Sequence, residues 1–189
     1  MSHIIDNLDA RLGAKIEAER GRRDWSIRDL AERAGVSRAM ISKIERGQVS
    51  ATAVLLGRLA AAFELSLSQL MLMTETGADR LSRAADQASW RDPDTGYVRR
   101  QISPARGGSR LEIAEIDLPA GQAVSFPASA YVCLDHQVLV LDGRLSLTLG
   151  DEAFDLGPGD CVHLGAPADC EYRNATDEPC RYLVVLARV

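Results

Sequence analysis

Apolar residues recur at helical spacing through the first 73 residues of the chain. Leu8, Leu12 and Ile16 lie four residues apart and predict one apolar face of a first helix. Four more apolar clusters follow at the same period, each short and each bounded by polar residues. Their apolar positions are Ile27, Leu30, Ala31 and Ala34; Ile41 and Ile44; Leu55, Leu59 and Phe63; and Leu67, Leu70 and Met71. The pattern predicts a compact bundle of five short helices.

Serine and glycine residues mark the ends of these predicted helices. Ser26-x-x-Asp29 has the capping-box pattern that begins a helix, and Ser66-x-x-Gln69 opens the fifth helix in the same way. We expect Ser37 to cap the third helix. Gly35 and Gly47 follow the second and third helices, where a left-handed residue commonly ends a helix.

The spacing of apolar residues changes from a helical to a strand pattern after a polar linker, which we assign to residues 77–88. Residues 111–118 alternate apolar and polar positions, and residues 182–189 form a final apolar strand. Residues 138–149 resemble a hairpin that turns at Asp142-Gly143. Eight or more short strands in about 100 residues predict a sandwich or a small barrel. The expected fold class is therefore α+β, with residues 1–76 helical and residues 89–189 an antiparallel β-domain.

Composition and charge narrow the classes of function. The chain has 189 residues, no apolar run near the ~20 residues of a membrane span, and no recognisable secretory signal, so we expect a cytoplasmic protein without membrane contact. Its four cysteines form no C-x-x-C pair, which disfavours a zinc knuckle. The net charge is -5, yet residues 1–76 carry 11 Lys/Arg against 10 Asp/Glu. Within residues 20–46, eight basic residues outnumber four acidic ones, so positive charge concentrates there.

Residues 27–46 meet the requirements of a helix-turn-helix. Such a motif needs a small residue where the helices touch, a glycine in the turn, and apolar residues that pack the second helix on the first. Ala31 is the small contact and Gly35 the turn, while Val36, Ile41 and Ile44 supply the packing. Glu45 is better placed to orient an arginine than to contact bases.

This segment resembles the lambda-repressor-like (Xre-type) helix-turn-helix family over residues 8–73, including Ser37 to Gly47 and Leu65 to Leu70. The resemblance implies a double-stranded DNA operator as partner. The residues implied to lie in the major groove are Ser37, Arg38, Ala39, Ser42 and Lys43; those implied to meet the backbone are Ser26, Arg28 and Arg46. The alternative is a helical protein-interaction module whose cations are merely solvated.

Residues 121–174 resemble the cupin family of β-barrels. With Gly143 as anchor, the glutamate position of the first cupin motif falls on His136, and its two histidine positions fall on residues other than histidine. In the second motif Cys170 occupies the histidine position, and Asn174 matches. Only His136 and Cys170 are thus potential ligands at the four expected positions, which is too few for a catalytic metal.

We therefore expect no metal and no cofactor. Recruitment of Cys133, His163 or Glu171 to a zinc site is the alternative, which strand alternation disfavours. A barrel without metal can bind a small-molecule effector in its mouth. The predicted lining residues are Tyr131, Cys133, His136, Cys170 and Tyr172. The simpler alternatives are a hydrogen-bonded His136, a buried Cys170 thiol, and a filled barrel that serves only for dimerisation.

Both resemblances together match the Xre-cupin regulators over nearly the whole chain. They imply a homodimeric transcriptional regulator that is not an enzyme, with a cupin domain that senses a small molecule, dimerises, or does both. The enzyme alternative is a metal-dependent cupin of the fosfomycin-forming epoxidase type, which the missing ligands disfavour. The sequence shows no G-x-S-x-G, phosphate-loop or G-x-G-x-x-G motif.

Overall fold

A computed structural model describes residues 2–72, 80–104, 110–132 and 134–188. The chain divides into two compact units, Met1–Glu75 and Thr76–Val189. Among the described helices, none combines the length and apolar character that crossing a membrane would require. Of the predicted linker 77–88, residues 80–88 contain a single 3-10 turn at Ala84–Asp86, and residues 77–79 lie outside the described ranges.

The first unit contains the five predicted helices. Their bounds are Ser2–Gly21 (α1), Ile27–Ala34 (α2), Arg38–Glu45 (α3), Ala53–Ala62 (α4) and Leu67–Leu72 (α5). The core between them is aliphatic apart from one aromatic ring, and its fully buried members include Ile16, Leu30, Ile41, Leu56, Leu59, Phe63 and Leu70. The apolar periods identified Ile16, Leu30, Ile41, Leu59, Phe63 and Leu70 as buried. Leu55, Leu67 and Met71 are only half-buried, and Leu56, which is fully buried, was not among the predicted positions.

Local side-chain chemistry fixes where these helices begin and end. Ser26 forms both halves of a capping box with Asp29, and the Ser37 side chain accepts a hydrogen bond from the amide of Met40. Gly35 ends α2 with φ = 62°, a left-handed conformation that costs glycine nothing. Ser66 and Gln69 cap α5 reciprocally. These caps agree with the sequence prediction.

The described residues of the second unit form ten antiparallel strands in two sheets. The strands are Ser89–Arg91 (β1), Val98–Gln101 (β2), Leu111–Leu118 (β3), Ala123–Phe126 (β4), Leu134–Asp142 (β5), Leu145–Leu149 (β6), Glu152–Leu156 (β7), Cys161–His163 (β8), Cys170–Arg173 (β9) and Cys180–Arg188 (β10). One sheet has the order β1-β2-β3-β10-β5-β8, and the other has the order β4-β9-β6-β7. Side chains alternate between an inner face and an outer face, and the inner faces of both sheets form the core.

The predicted hairpin at Asp142-Gly143 is wrong. Strand β5 pairs with β10 and β8, whereas β6 pairs with β7 and β9, so the chain changes sheets at this corner. Gly143 has φ = 77°, and a Cβ on it would lie 2.5 Å from the carbonyl oxygen of Pro179. An Asp-Gly pair predicts a tight turn but not the direction in which the next strand leaves. The adjacent hairpin joins β6 to β7 instead.

Candidate nucleic-acid interface and barrel site

Helix α3 has one buried face and one exposed polar face. Ile41 and Ile44 are almost inaccessible, while Arg38, Ala39 and Lys43 are exposed and Ser42 is half-buried. This division follows from the helical period, because residues three and four positions apart share a face. The groove-facing residues predicted from the sequence therefore lie on one solvent-accessible surface.

The cations on the exposed face of α3 and the cations near the C-terminal end of α1 differ in whether they form ion pairs. Within the described parts of the chain, Arg38, Lys43 and Arg46 take part in no ion pair. The α1 cations do have carboxylate partners: Glu19, almost fully buried, accepts hydrogen bonds from Arg22 at 2.6 Å and Arg23 at 2.5 Å. The α3 cations keep their charge available for an external anion such as a DNA phosphate.

The remaining predicted contact residues flank α3. Ser26 begins α2; its hydroxyl donates to Asp29 Oδ2 at 2.7 Å, and this hydrogen bond lowers the pKa of Asp29. Arg28 Nε donates to Glu32 Oε1 at 2.8 Å on the exposed surface. An open cleft between α2 and α3 has a lining that includes Arg28, Ser37 and Arg38. One predicted backbone-contacting residue, Arg28, and two predicted groove-facing residues, Ser37 and Arg38, thus border this cleft.

Glu45 holds α3 against α1. Its two carboxylate oxygens accept hydrogen bonds from Arg20 Nε at 2.7 Å and Arg20 Nη2 at 3.0 Å, and Arg20 Nη1 also donates to the carbonyl of Trp25 at 2.9 Å. The hydrogen bonds to Glu45 raise the pKa of Arg20, because they stabilise its charged form. Glu45 does orient an arginine, but Arg20 lies 25 residues away, and sequence spacing alone gave no sign of this pairing.

The β-domain buries an imidazole among aromatic rings. His136 on β5 is 3% exposed, and its ring centroid lies 4.9 Å from that of Tyr131. Neither ring nitrogen has a hydrogen-bond partner within the described residues, so the expected hydrogen-bonded histidine is not observed there. Burial lowers the pKa of His136 to about 3, and the positive charge of Arg99 contributes in the same direction. The imidazole is therefore neutral near pH 7.

Cys170 and Tyr172 on β9 face the same interior. The Cys170 thiol donates to the hydroxyl of Tyr131 at 3.0 Å, and burial raises the pKa of Cys170. Tyr172 stacks on Tyr182 with 5.7 Å between ring centroids, and desolvation raises its pKa well above the ordinary value. Four of the five predicted pocket residues thus lie in one neighbourhood; Cys133 lies outside the described residues.

Two of the residues considered for a recruited zinc site, His163 and Glu171, face elsewhere; the third, Cys133, lies outside the described residues. His163 Nε2 pairs with Asp135 Oδ1 at 2.7 Å on the exposed surface, and Glu171 pairs with Arg173 at 2.9 Å. The described part of the chain contains no group of three or more His, Cys, Asp or Glu side chains placed to hold a metal ion. Alternation along β5 and β9 explains this separation, since residues next to His136 and Cys170 point outward.

Three inward-facing polar residues were not predicted from the sequence. Arg99 and Gln101 on β2 and Glu112 on β3 are buried, on the strand faces that point into the domain. The signal for Glu112 was present, because it shares the alternation of Ala114, Ile116 and Leu118. Strand β2 is only four residues long, too short for its inward face to be recognised from alternation.

Comparison with known proteins agrees with this two-part architecture. Residues 16–70 match the Helix-turn-helix family (HTH_3), and residues 136–186 match the Cupin domain family (Cupin_2). The chain is 25% identical over 178 residues to the HTH-type transcriptional regulator SutR of Escherichia coli, covering 94% of this chain and 95% of that protein. These two matches, together with the fold, define the class of this protein: an Xre-type helix-turn-helix domain is followed by a cupin domain.

A solved structure shows the same fold. An HTH_3 family transcriptional regulator from Vibrio cholerae superposes with a TM-score of 0.80 at 21% identity, covering 98% of this chain and 99% of that one. Hydroxypropylphosphonic acid epoxidase from S. wedmorenis covers 94% of this chain and 97% of its own at 16% identity, with a TM-score of only 0.48. The likeness to the regulator establishes the fold, whereas the likeness to the epoxidase is too low to support an argument.

Proposed function

We propose that this protein is a sequence-specific DNA-binding transcriptional regulator. The observation that carries the proposal is the face of α3, where Arg38, Lys43 and Arg46 are exposed and without ion pairs in the described part of the chain. A cationic helix with neighbouring hydroxyl groups has the chemistry to bind phosphates and read base edges in the major groove. The relatives named as transcriptional regulators support the same conclusion.

The cupin domain is proposed to dimerise the protein and to bind a small-molecule effector. Two recognition helices must lie about 34 Å apart to enter successive major grooves, which a dimer provides. An effector changes DNA affinity only if it binds one dimer geometry better than the other. The pocket residues proposed for the effector are Tyr131, Cys133, His136, Cys170 and Tyr172.

We propose a regulator without catalytic activity rather than a metal-dependent enzyme. A catalytic non-haem metal needs three or more convergent ligands with an open coordination position. His136 faces the barrel interior with Cys170, whereas His163 and Glu171 are engaged in ion pairs at the surface. This arrangement supports a binding role for the interior.

Selection from a randomised duplex library with the full-length protein tests DNA recognition, and substitution of single cations tests the interface. Arg38→Ala should relax the preference at one base position, at a cost of about 1–3 kcal/mol for the preferred sequence.

Arg46→Ala should weaken binding to all sequences alike and lower the slope of log affinity against log salt by about one, since it removes a phosphate contact.

Arg58→Ala is the matched control, because Arg58 is an exposed cation on α4 that also lacks an ion pair among the described residues. It should leave both affinity and base preference unchanged. Equal effects of all three substitutions would show that DNA binding depends on general charge attraction alone. Failure to enrich any sequence would refute the proposed function.

A further inference from the structure

The interior of the β-domain contains polar atoms that the described protein residues leave unsatisfied. A neutral imidazole has one donor and one acceptor nitrogen, and both nitrogens of His136 lack a partner in the described ranges. The hydroxyl of Tyr172 is also buried; the Tyr131 hydroxyl and the Cys170 thiol interact with it, but without a hydrogen bond of normal geometry. Buried polar groups that lack partners destabilise a fold, so the unpaired imidazole indicates a place that a ligand or ordered water fills.

Among the charged side chains that act on His136, the one with the largest influence is positive. Arg99 is 6% exposed and faces inward from β2, and of the charged groups acting on His136 it has the largest influence. Asp135 acts in the opposite direction, but its carboxylate is bound to His163 at the surface. A metal cation beside His136 would be repelled by the guanidinium, whereas an anion would be attracted in this weakly polarisable interior.

Aromatic surface surrounds the same point. The Tyr131 ring lies against His136, and Phe126 meets both Tyr131 and Tyr172 edge to face at 6.4 Å and 6.1 Å between centroids. These rings offer apolar contact to the body of a ligand. The chemistry that matches the interior is therefore a molecule with one anionic end and one apolar end.

We propose that the cupin domain binds a small apolar monocarboxylate, whose carboxylate accepts a hydrogen bond from the N–H of His136 and is stabilised by the charge of Arg99. The apolar end lies against Tyr131 and Phe126. This inference rests on the proposed role of the cupin domain as an effector domain, and it adds the chemical class of the effector. Two negative charges among the described residues oppose binding of an anion: Glu112, which is buried and faces inward from β3, and Asp135, which acts on His136 from the surface.

The test is isothermal titration of the full-length protein with acetate, butyrate and benzoate, each compared with its uncharged amide. At least one acid should bind about tenfold more tightly than its amide, a difference of about 1.4 kcal/mol. Arg99→Gln should abolish this preference, whereas Glu112→Gln should preserve or increase it. Because the two substitutions remove charges of opposite sign from one interior, a general loss of structure cannot produce opposite outcomes.

Substitution of the histidine gives a second comparison that does not depend on the folding of the Arg99 variant. His136→Gln should weaken binding of the preferred acid about tenfold, and His163→Gln should have no effect, because His163 lies on the surface. Failure of every carboxylate, equal binding of acid and amide, or one tightly held metal ion per chain that is lost in His136→Gln would each overturn the inference.

DNA binding is measured on the same preparations without any carboxylate, so the two proposals can fail separately. A protein that binds a selected duplex but no carboxylate refutes the ligand class alone. A protein that binds a carboxylate but enriches no duplex refutes the regulatory function alone.

Discussion

Glu19 and His136 are both only 3% exposed, but among the described residues Glu19 has ionic partners and His136 has no hydrogen-bond partner. Two arginines donate to the Glu19 carboxylate, and Lys15 Nζ lies 3.8 Å from it. These partners compensate the buried charge of Glu19, and removal of one of them would be costly because the carboxylate would be left buried without full compensation. His136 instead remains neutral, and its ring nitrogens have no hydrogen-bond partner among the described residues. The difference separates an ionic cluster from the imidazole that we propose binds a ligand.

The depressed pKa of His136 predicts a specific dependence of stability on pH. The folded-state pKa is about 3, whereas the ordinary value is 6.5, so between these values the unfolded chain binds one more proton than the folded chain. The stability due to neutral His136 is fully present above pH 6.5 and is lost as pH falls toward 3. The contribution should change by up to about 1.4 kcal/mol per pH unit in this window.

Chemical denaturation of the wild type and His136→Asn across this pH range measures that contribution as a difference between the two free energies of unfolding. His163→Asn is the control, because this exposed histidine is held by Asp135 outside the interior. The difference for His136→Asn should vary with pH below 6.5 and be constant above it. A difference that is independent of pH would show that His136 titrates alike in both states.

At the scale of elements, close backbone packing sets the position of α3. A Cβ on Gly13 of α1 would lie 2.2 Å from the carbonyl oxygen of Ile44, so α1 approaches the end of α3 too closely for a side chain. The Arg20–Glu45 pair adds two hydrogen bonds across the same contact. Since several constraints fix the helix, its exposed face can meet DNA with little ordering cost.

The corner between β5 and β6 predicts a large effect of a small substitution. Gly143→Ala must adopt a left-handed backbone and also place its Cβ 2.5 Å from Pro179 O and 2.9 Å from Cys180 Cα. Gly159→Ala is the matched control, because Gly159 has φ = 90° but nothing within 4 Å of its built Cβ. Denaturation should show a loss of about 1 kcal/mol for Gly159→Ala and at least about 2 kcal/mol more for Gly143→Ala. Equal losses would mean that the corner relaxes around the methyl group.

The contrast between caps and corners explains how much of the fold the sequence predicted. Ser26, Gly35 and Ser37 act on backbone groups within four residues, so their roles follow from local chemistry alone. The Asp142-Gly143 corner depends on which sheet receives β6, and that choice is made by packing of strands far apart in sequence. Local signals therefore predicted strands within residues 111–118, 138–149 and 182–189, but not how these strands pair.

The candidate site also has one part that local sequence signals predicted and one part that they did not. The exposed residues of α3 follow from one helical period and were predicted together. The interior of the cupin domain combines His136 on β5 with Arg99 on β2, and these strands are separated in the sheet by β3 and β10. No spacing in the sequence links them, so the motif comparison found the histidine but missed the arginine.

At the scale of the whole molecule, the two units divide the charge. Residues 1–76 have a net charge of +1 and residues 77–189 a net charge of -6, by count of the sequence. A weakly cationic domain of this size gains little affinity from its total charge, so binding must depend on the local cations of α3. In the proposed mode of binding, one such domain contacts one half-site. The proposed homodimer would let two copies act together on an operator with two half-sites.

The isolated segment 1–75 should bind a selected palindromic duplex weakly, and the full-length protein should bind it far more tightly, by about 10²-fold or more, because linked domains engage the second half-site at high effective concentration. Fluorescence anisotropy at one fixed salt concentration measures both affinities. A duplex that carries a single half-site is the control, and on it the two proteins should differ little. Equal affinities on the palindrome would show that the second unit does not bring two recognition helices together.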